Sequence, residues 1–285
     1  MKKLQRTWNT SRRRIDLSRP LVMGILNVTP DSFSDGGKFA DLGAALRQAE
    51  KLVAEGADII DIGGESTRPG SSRVTSKDEI ARVVPIIDAI SKGFDIPISV
   101  DSSKSEVAAA ATDTGAEIIN DISGLRFDPR MANVAAKVGA GLVLMHSRGT
   151  FEEMHELEPV DDIFADGAAD FRRSISLATN AGVRPEQIVL DIGIGFGKTF
   201  EQNLQLIGDL NKVINEFPEF PMLVGTSRKS FIGKILGGAS ADQRQSGSIA
   251  TAVLAAWNGA SIIRAHEVKA TVDALKIVDA IGSSI

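Results

Sequence analysis

The sequence predicts an α/β fold, a single-domain (β/α)8 barrel of the TIM type. Eight short apolar runs each end on a polar or charged residue or a glycine: Leu21–Asn27, Asp58–Gly63, Pro97–Asp101, Glu117–Asp121, Gly141–His146, Gln187–Asp191, Pro221–Gly225 and Ala260–Arg264. The intervals between them are long enough for a helix, and most carry helical periodicity, the alternation expected of parallel βα units. Eight such units in 285 residues suit a fold that typically takes ~250. In such a barrel every strand delivers its C-terminal end to one face. Asn27, Asp61, Asp101, Asn120, His146, Asp191 and Arg264 are therefore expected to converge on one pocket.

The helices are read from apolar spacing. Leu42, Leu46, Ala49 and Val53 fall on one helical face, with Gly56 placed as a C′ glycine. Ile80, Val83, Val84 and Ile87 repeat the pattern. Ser102 or Ser103 is the expected cap of a third helix through Glu106–Ala111. Asp161 to Ala181, ending at Gly182, is the longest helical candidate, and Ser246–Trp257 and Lys269–Ala280 supply the last two. The glycine-rich loops Thr29–Phe39, Gly63–Thr75 and Gly193–Lys198 are expected over the top face, where long loops are usually functional.

Composition excludes several chemistries. There is no cysteine, so disulfides, thiolate metal sites and cysteine nucleophiles are ruled out, and the absence suits a cytosolic enzyme. No apolar stretch is long enough to span a bilayer. The formal charge is −5, yet residues 1–20 hold seven basic residues against Asp16, a local +6 that leaves −11 on the rest. An acidic body argues against nucleic-acid binding. The basic start lacks the apolar core of a secretory signal. Residues 1–20 are expected to pack under the barrel floor, because Ile15-Asp16-Leu17 has an ordered pattern, and residues 21–285 to form the barrel.

The candidate chemistry sits after the strands. Asp191-Ile-Gly-Ile-Gly-Phe-Gly-Lys198-Thr199 is neither a Walker A loop nor a dinucleotide fingerprint, since the glycine spacing fails both patterns. What remains is a strand-tip carboxylate suited to an amidine-like ring edge, followed by glycines that let backbone approach a flat ligand. Gly225-Thr-Ser-Arg228-Lys229-Ser follows the seventh strand, where such barrels often bind phosphate. Arg264-Ala-His266 closes the eighth; arginine suits bidentate phosphate contact, and period two puts His266 on the same side. Asn27 offers a neutral oxygen suited to Mg²⁺, and Phe33 is an aromatic candidate in the loop that follows. Thr67 and Arg68, after Gly63-Gly-Glu65-Ser66, provide donors for an anion. His155 is read as surface.

The blocks MGILNVTPDSFSDGG, DIGGESTRPG, SVDSSK, INDISG, LVLMH, DIGIGFGKT, GTSRKSFIG and IIRAHEV, in this order over nearly the whole chain, resemble the dihydropteroate synthase family of pterin-binding TIM barrels. The resemblance implies condensation of 6-hydroxymethyl-7,8-dihydropterin pyrophosphate with p-aminobenzoate, releasing pyrophosphate, in folate biosynthesis. It also implies use of Mg²⁺, a cytoplasmic homodimer and sensitivity of the family to sulfonamides. By the same resemblance Asn27 is the metal ligand, and Asp101, Asn120 and Asp191 bind the pterin. Lys229 lies between pterin and p-aminobenzoate, and Arg264 and His266 bind pyrophosphate. Thr67, Arg68, Pro69, Phe33, Phe196 and Ser230 help to bind p-aminobenzoate, Thr67 also reaching the pterin substrate. Lys229, Asp101, Arg264 and His266 form the implied catalytic set.

Those residue types suit the reaction. An arylamine nitrogen is already free of a proton, so the demand is to ionise the C–O bond to pyrophosphate. Arg264, His266 and Mg²⁺ on Asn27 are expected to stabilise the leaving group, while Asp101 and Asp191 favour the pterin methylene cation. Departures from the family pattern are Ile192, Ser147-Arg148, the stretch Arg244 to Gly247, and Glu267. Two alternatives stand beside this reading. One is a corrinoid-linked pterin methyltransferase domain, which should lack the Ser-Arg-Lys and Arg-x-His elements. The other is a pterin-binding paralogue without catalysis, which the intact Asn27, Lys229, Arg264 and His266 argue against.

Overall fold

Basic residues near the start of the chain meet acids at the barrel floor. The computed structural model describes residues 7–28, 38–66, 71–151, 153 and 157–284. Strands β1 (Thr7–Asn9) and β2 (Arg14–Asp16) pair antiparallel as a small hairpin. Arg13 pairs with buried Glu117 at 3.0 Å and with Asp95 at 3.1 Å, and Arg19 reaches Asp58. Trp8, fully buried, packs with Leu17, Leu21, Met23, Ile59, Ile118, Val143, Val189, Leu223 and Ile262, and its indole N–H donates to the Gln187 carbonyl at 2.8 Å. A side chain on Gly141 would come within 3.0 Å of the Trp8 ring, so glycine is required there for the indole to close the floor.

The eight apolar runs are the eight strands. β3 (Leu21–Asn27), β4 (Ile59–Gly63), β5 (Ile98–Asp101), β6 (Ile118–Asp121), β7 (Gly141–Met145), β8 (Ile188–Asp191), β9 (Met222–Val224) and β10 (Ile262–Ala265) form a closed barrel. Each strand pairs in parallel with its neighbour, and β10 returns to β3. The predicted TIM barrel is the observed one.

Ten helices lie among the described residues: α1 (Lys38–Ala54), α2 (Ser76–Gly93), α3 (Ser105–Thr114), α4 (Arg130–Val138), α5 (Ile163–Asn180), α6 (Phe200–Gly208), α7 (Leu210–Glu216), α8 (Ser230–Ile235), α9 (Gln245–Trp257) and α10 (Val268–Gly282). Apolar helix faces and outward strand residues, such as Ile60, Ile62, Val100 and Leu144, form the larger core between sheet and helices. Gly56 and Gly182 have φ of 94° and 98°, the left-handed conformation a helix end favours. The cap expected from Ser102 or Ser103 is replaced. Neither hydroxyl caps α3; the Ser105 N–H donates to Asp128 Oδ2 at 3.0 Å instead. A carboxylate from the next βα loop does what local spacing assigned to a serine.

Candidate active site

Strand alternation sets the site. On β4, Ile59 and Asp61 point inward while Ile60 and Ile62 join the outer core; β10 does the same with Ile262 and Arg264. Arg264 therefore enters the barrel axis. Its Nε donates to Asp61 Oδ2 at 2.6 Å and its Nη2 to Asp101 Oδ2 at 2.6 Å. Asn120 Nδ2 donates to the same Asp61 oxygen at 3.1 Å. Asp61 is completely buried, and its Oδ1, like Asn120 Oδ1, has no hydrogen-bond partner among the described residues. Loss of water raises the Asp101 carboxyl to about 7; Arg264 opposes the rise and Asp61 adds to it. Burial likewise raises the Asp191 carboxyl, against the pull of the Gly193 N–H, which donates to it at 2.7 Å.

The loop after β8 wraps around a lysine. Lys198 Nζ donates to the carbonyls of His146, Gly193 and Phe196 at 3.0, 2.8 and 3.0 Å. Desolvation lowers its pKa to about 7. Gly193 has φ +62°, and a Cβ there would lie 1.9 Å from the His146 carbonyl oxygen, so no other residue fits. This geometry presents the Phe196 ring to Lys229, whose Nζ lies 4.1 Å from the ring centroid, a cation–π contact. Desolvation, then the nearby Arg264 charge, lowers Lys229 to about 8, while Asp191 and Asp101 pull the other way.

The end of β10 is tied to the loop after β9. His266 Nδ1 lies 2.9 Å from Ser227 Oγ, which is 3.1 Å from Glu267 Oε2, and Arg228 Nε donates to Glu267 Oε1 at 2.6 Å. Arg228 has φ 59°, held by Ser248 Oγ on its N–H and by Arg244 on its carbonyl. The expected Arg228–Lys229 pair thus divides: one arginine braces the loop, and the lysine faces the aromatic ring. Ser230 is exposed as the first residue of α8.

The model of the pterin binding enzyme family matches residues 23–266, nearly the whole barrel. The dihydropteroate synthase of Synechocystis is 48% identical over 263 residues, covering 92% of this chain and 90% of its own. The crystal structure of the Yersinia pestis dihydropteroate synthase with a sulfonamide drug complex aligns with a TM-score of 0.90 at 44% identity, covering 98% of this chain and 100% of that one. The Xanthomonas albilineans dihydropteroate synthase with 4-aminobenzoic acid aligns with a TM-score of 0.91 at 40% identity, over 98% of both chains. The chain belongs to the dihydropteroate synthase family.

Against the dihydropteroate synthase pattern, the structure brings Asp101, Asn120 and Arg264 into one hydrogen-bonded network, with Asp191 and Lys229 coupled to it by charge. His146 is the exception among the strand-tip residues. Its ring is buried and points outward, Nε2 lying 3.1 Å from Asp166 Oδ2 on α5, and burial lowers its pKa to about 4. The cause is period two: Leu142 and Leu144 face the outer core, and His146 follows them. Phe33, Thr67, Arg68, Pro69 and His155 lie outside the described residues. The position of Asp61, two residues before Gly63 on its strand, is signal enough for an inward carboxylate, but not for its arginine partner. Ile192 is buried in the outer core, and Ser147 Oγ donates to the Ile122 carbonyl at 2.9 Å while accepting from Arg126.

The fit of a hard cation is tested by Gly63. A Cβ there would lie 3.7 Å from Asn27 Oδ1 and 3.7 Å from Asp101 Oδ2, so the glycine leaves open a space bordered by two oxygens. Among the described residues no group of three acidic or histidine side chains is gathered as a metal cage. Few protein oxygens, with the rest from water and phosphate, is the usual Mg²⁺ arrangement.

Proposed function

We propose that this chain joins the methylene carbon of a dihydropterin pyrophosphate to the amino nitrogen of p-aminobenzoate, giving dihydropteroate and pyrophosphate as a step of folate biosynthesis. The observation that carries the reading is the inward network of Arg264, Asp61, Asp101 and Asn120 with Lys229 and Phe196 on its rim. It sets an acid-rich floor for a ring with N–H donors beside cations for a leaving anion.

Asp101, Asn120 and Asp191 hold the pterin edge, their carboxylates accepting ring and amine N–H groups. As the C–O bond to pyrophosphate lengthens, positive charge develops on the methylene carbon, and the two carboxylates favour it. Arg264 and His266 take the departing pyrophosphate. Asn27 Oδ1 would hold Mg²⁺, which when bound neutralises phosphate charge. Lys229, against Phe196, lies where the pterin meets the arylamine; Phe196 packs on the p-aminobenzoate ring with exposed Ser230 near it. By resemblance Phe33, Thr67, Arg68 and Pro69 complete that pocket and exclude water from the cation. The nitrogen attacks the methylene carbon, pyrophosphate leaves, and the ammonium proton is lost to solvent.

A second copy of the chain is the proposed partner. Ile235 and Leu236 at the end of α8, Leu254 and Trp257 on α9, and Ile277 and Ile281 on α10 are large apolar side chains left exposed. A cytosolic location is proposed on the cysteine-free sequence. The experiment for the activity is product identification: purified protein with dihydropterin pyrophosphate, p-aminobenzoate and Mg²⁺ should yield dihydropteroate by mass. Pterin binding with no new product would favour the non-catalytic alternative.

A further inference from the structure

Ser227 Oγ has three polar neighbours: Glu267 Oε2 at 3.1 Å, His266 Nδ1 at 2.9 Å and the His266 backbone N–H at 3.2 Å. A hydroxyl has one proton to give and two lone pairs to receive with. The backbone N–H must donate, which fills one lone pair. Glu267 is held by the Arg228 guanidinium at 2.5–2.6 Å and is a carboxylate, able only to accept. If the hydroxyl proton went to His266, Ser227 Oγ would face Glu267 Oε2 with two acceptors in contact. If it goes to Glu267, all three contacts are satisfied, and the remaining lone pair receives a proton carried on His266 Nδ1.

We propose that Ser227 and Glu267 are positioning residues that fix neutral His266 with its proton on Nδ1, so that the imidazole must take up a second proton before its Nε2 can donate to a phosphate oxygen. This rests on the reading of His266 as a ligand of the leaving pyrophosphate. Binding of the pyrophosphate-bearing substrate is then linked to uptake of one proton, and the imidazolium meets the anion with full charge. Arg228 serves the same device from behind, since its left-handed backbone, clamped by Ser248 and Arg244, aims the guanidinium at Glu267. The charged groups around His266 among the described residues are Glu267 on its own turn, Arg264 on its strand with Asp61 and Asp101 behind it, and Arg228 and Lys229 on the β9 loop. Lys229 also titrates, near 8, so the test compares variants that keep it.

The experiment is ¹⁵N imidazole spectroscopy of the histidine-labelled full-length protein, which has three histidines, with His266 assigned from its loss in His266→Asn. Above the imidazole titration, wild type should show the Nδ1-protonated pattern for His266, and added inorganic pyrophosphate should convert it to imidazolium. In Ser227→Ala the neutral ring should move toward the Nε2-protonated form, and Ser227→Thr should restore the wild-type pattern. Affinity for inorganic pyrophosphate should fall with rising pH more steeply in wild type than in Ser227→Ala, by up to about tenfold per pH unit, the limit for one linked proton. A wild-type ring protonated on Nε2, or equal tautomers and pH slopes in wild type and Ser227→Ala, would overturn the proposal. An Nδ1-protonated ring that ignores pyrophosphate overturns the proton uptake and, separately, shows that the anion role given to His266 is the part that failed.

Discussion

Arg264 and Asp61 meet at 2.6 Å inside the barrel, on strands β10 and β4, with the carboxylate fully withdrawn from solvent. Asp101 takes the second edge of the same guanidinium. One arginine thus pairs with two acids while facing the site. Arg264→Ala should therefore do two things. It should weaken engagement of the pyrophosphate-bearing substrate, and it should destabilise the fold by about 3–5 kcal/mol, because removing one partner leaves buried charge uncompensated. Denaturant unfolding beside pyrophosphate titration separates the two effects. Wild-type stability in the variant would show that the ion pair is worth little.

Lys229 titrates low because it is desolvated and faces Arg264, and its pKa of about 8 lies close to physiological pH. Its charge is complete below that value and is lost as pH rises through it. The ratio kcat/KM should accordingly fall above about pH 8 in wild type. Lys229→Arg, whose charge does not titrate in this range, should lack that limb even if its rate is lower. Lys229→Ala should lose much of the turnover while remaining folded. A pH–rate series on the three proteins checks both statements.

The loop after β8 depends on Lys198, whose ammonium is bonded to three carbonyls. Lys198→Met should release Phe196 from the Lys229 ammonium and raise KM for p-aminobenzoate several-fold. Phe196→Ala should raise the same KM, with affinity for the pterin substrate largely kept. Steady-state kinetics with each substrate varied in turn distinguishes this from a general loss of fold.

His146 gives a pH dependence of stability. Burial lowers its folded-state pKa to about 4 from the ordinary 6.5, so the unfolded chain binds the proton more readily. The contribution is therefore complete above about pH 6.5 and is lost progressively as pH falls toward 4, with a slope approaching about 1.4 kcal/mol per pH unit for one proton. Chemical denaturation at several pH values should show that slope in wild type and a shallower one in His146→Gln.

The barrel was legible because both of its signals are local. Apolar runs such as Leu21–Asn27 coincide with strands, and glycines such as Gly56 and Gly182 end helices where their positive φ is needed. The inward set Asp61, Asp101, Asn120, Asp191 and Arg264 followed from strand position. His146 did not, because its run extends one residue past the inward Met145, which pairs with Asp191, and alternation turns that extra residue outward. Contacts between distant loops were also out of reach: the Asp128 cap on α3, the His146 carbonyl on Lys198 and the Ser227–Glu267–Arg228 chain all join segments that sequence spacing does not relate.

In the proposed condensation p-aminobenzoate captures the pterin carbon as pyrophosphate leaves. This capture is tested most directly by measuring pyrophosphate release from the dihydropterin pyrophosphate with Mg²⁺, with and without p-aminobenzoate. Release should rise with p-aminobenzoate and match dihydropteroate formed mole for mole. Release at the same rate without p-aminobenzoate, or tight substrate binding with no release in its presence, would contradict it.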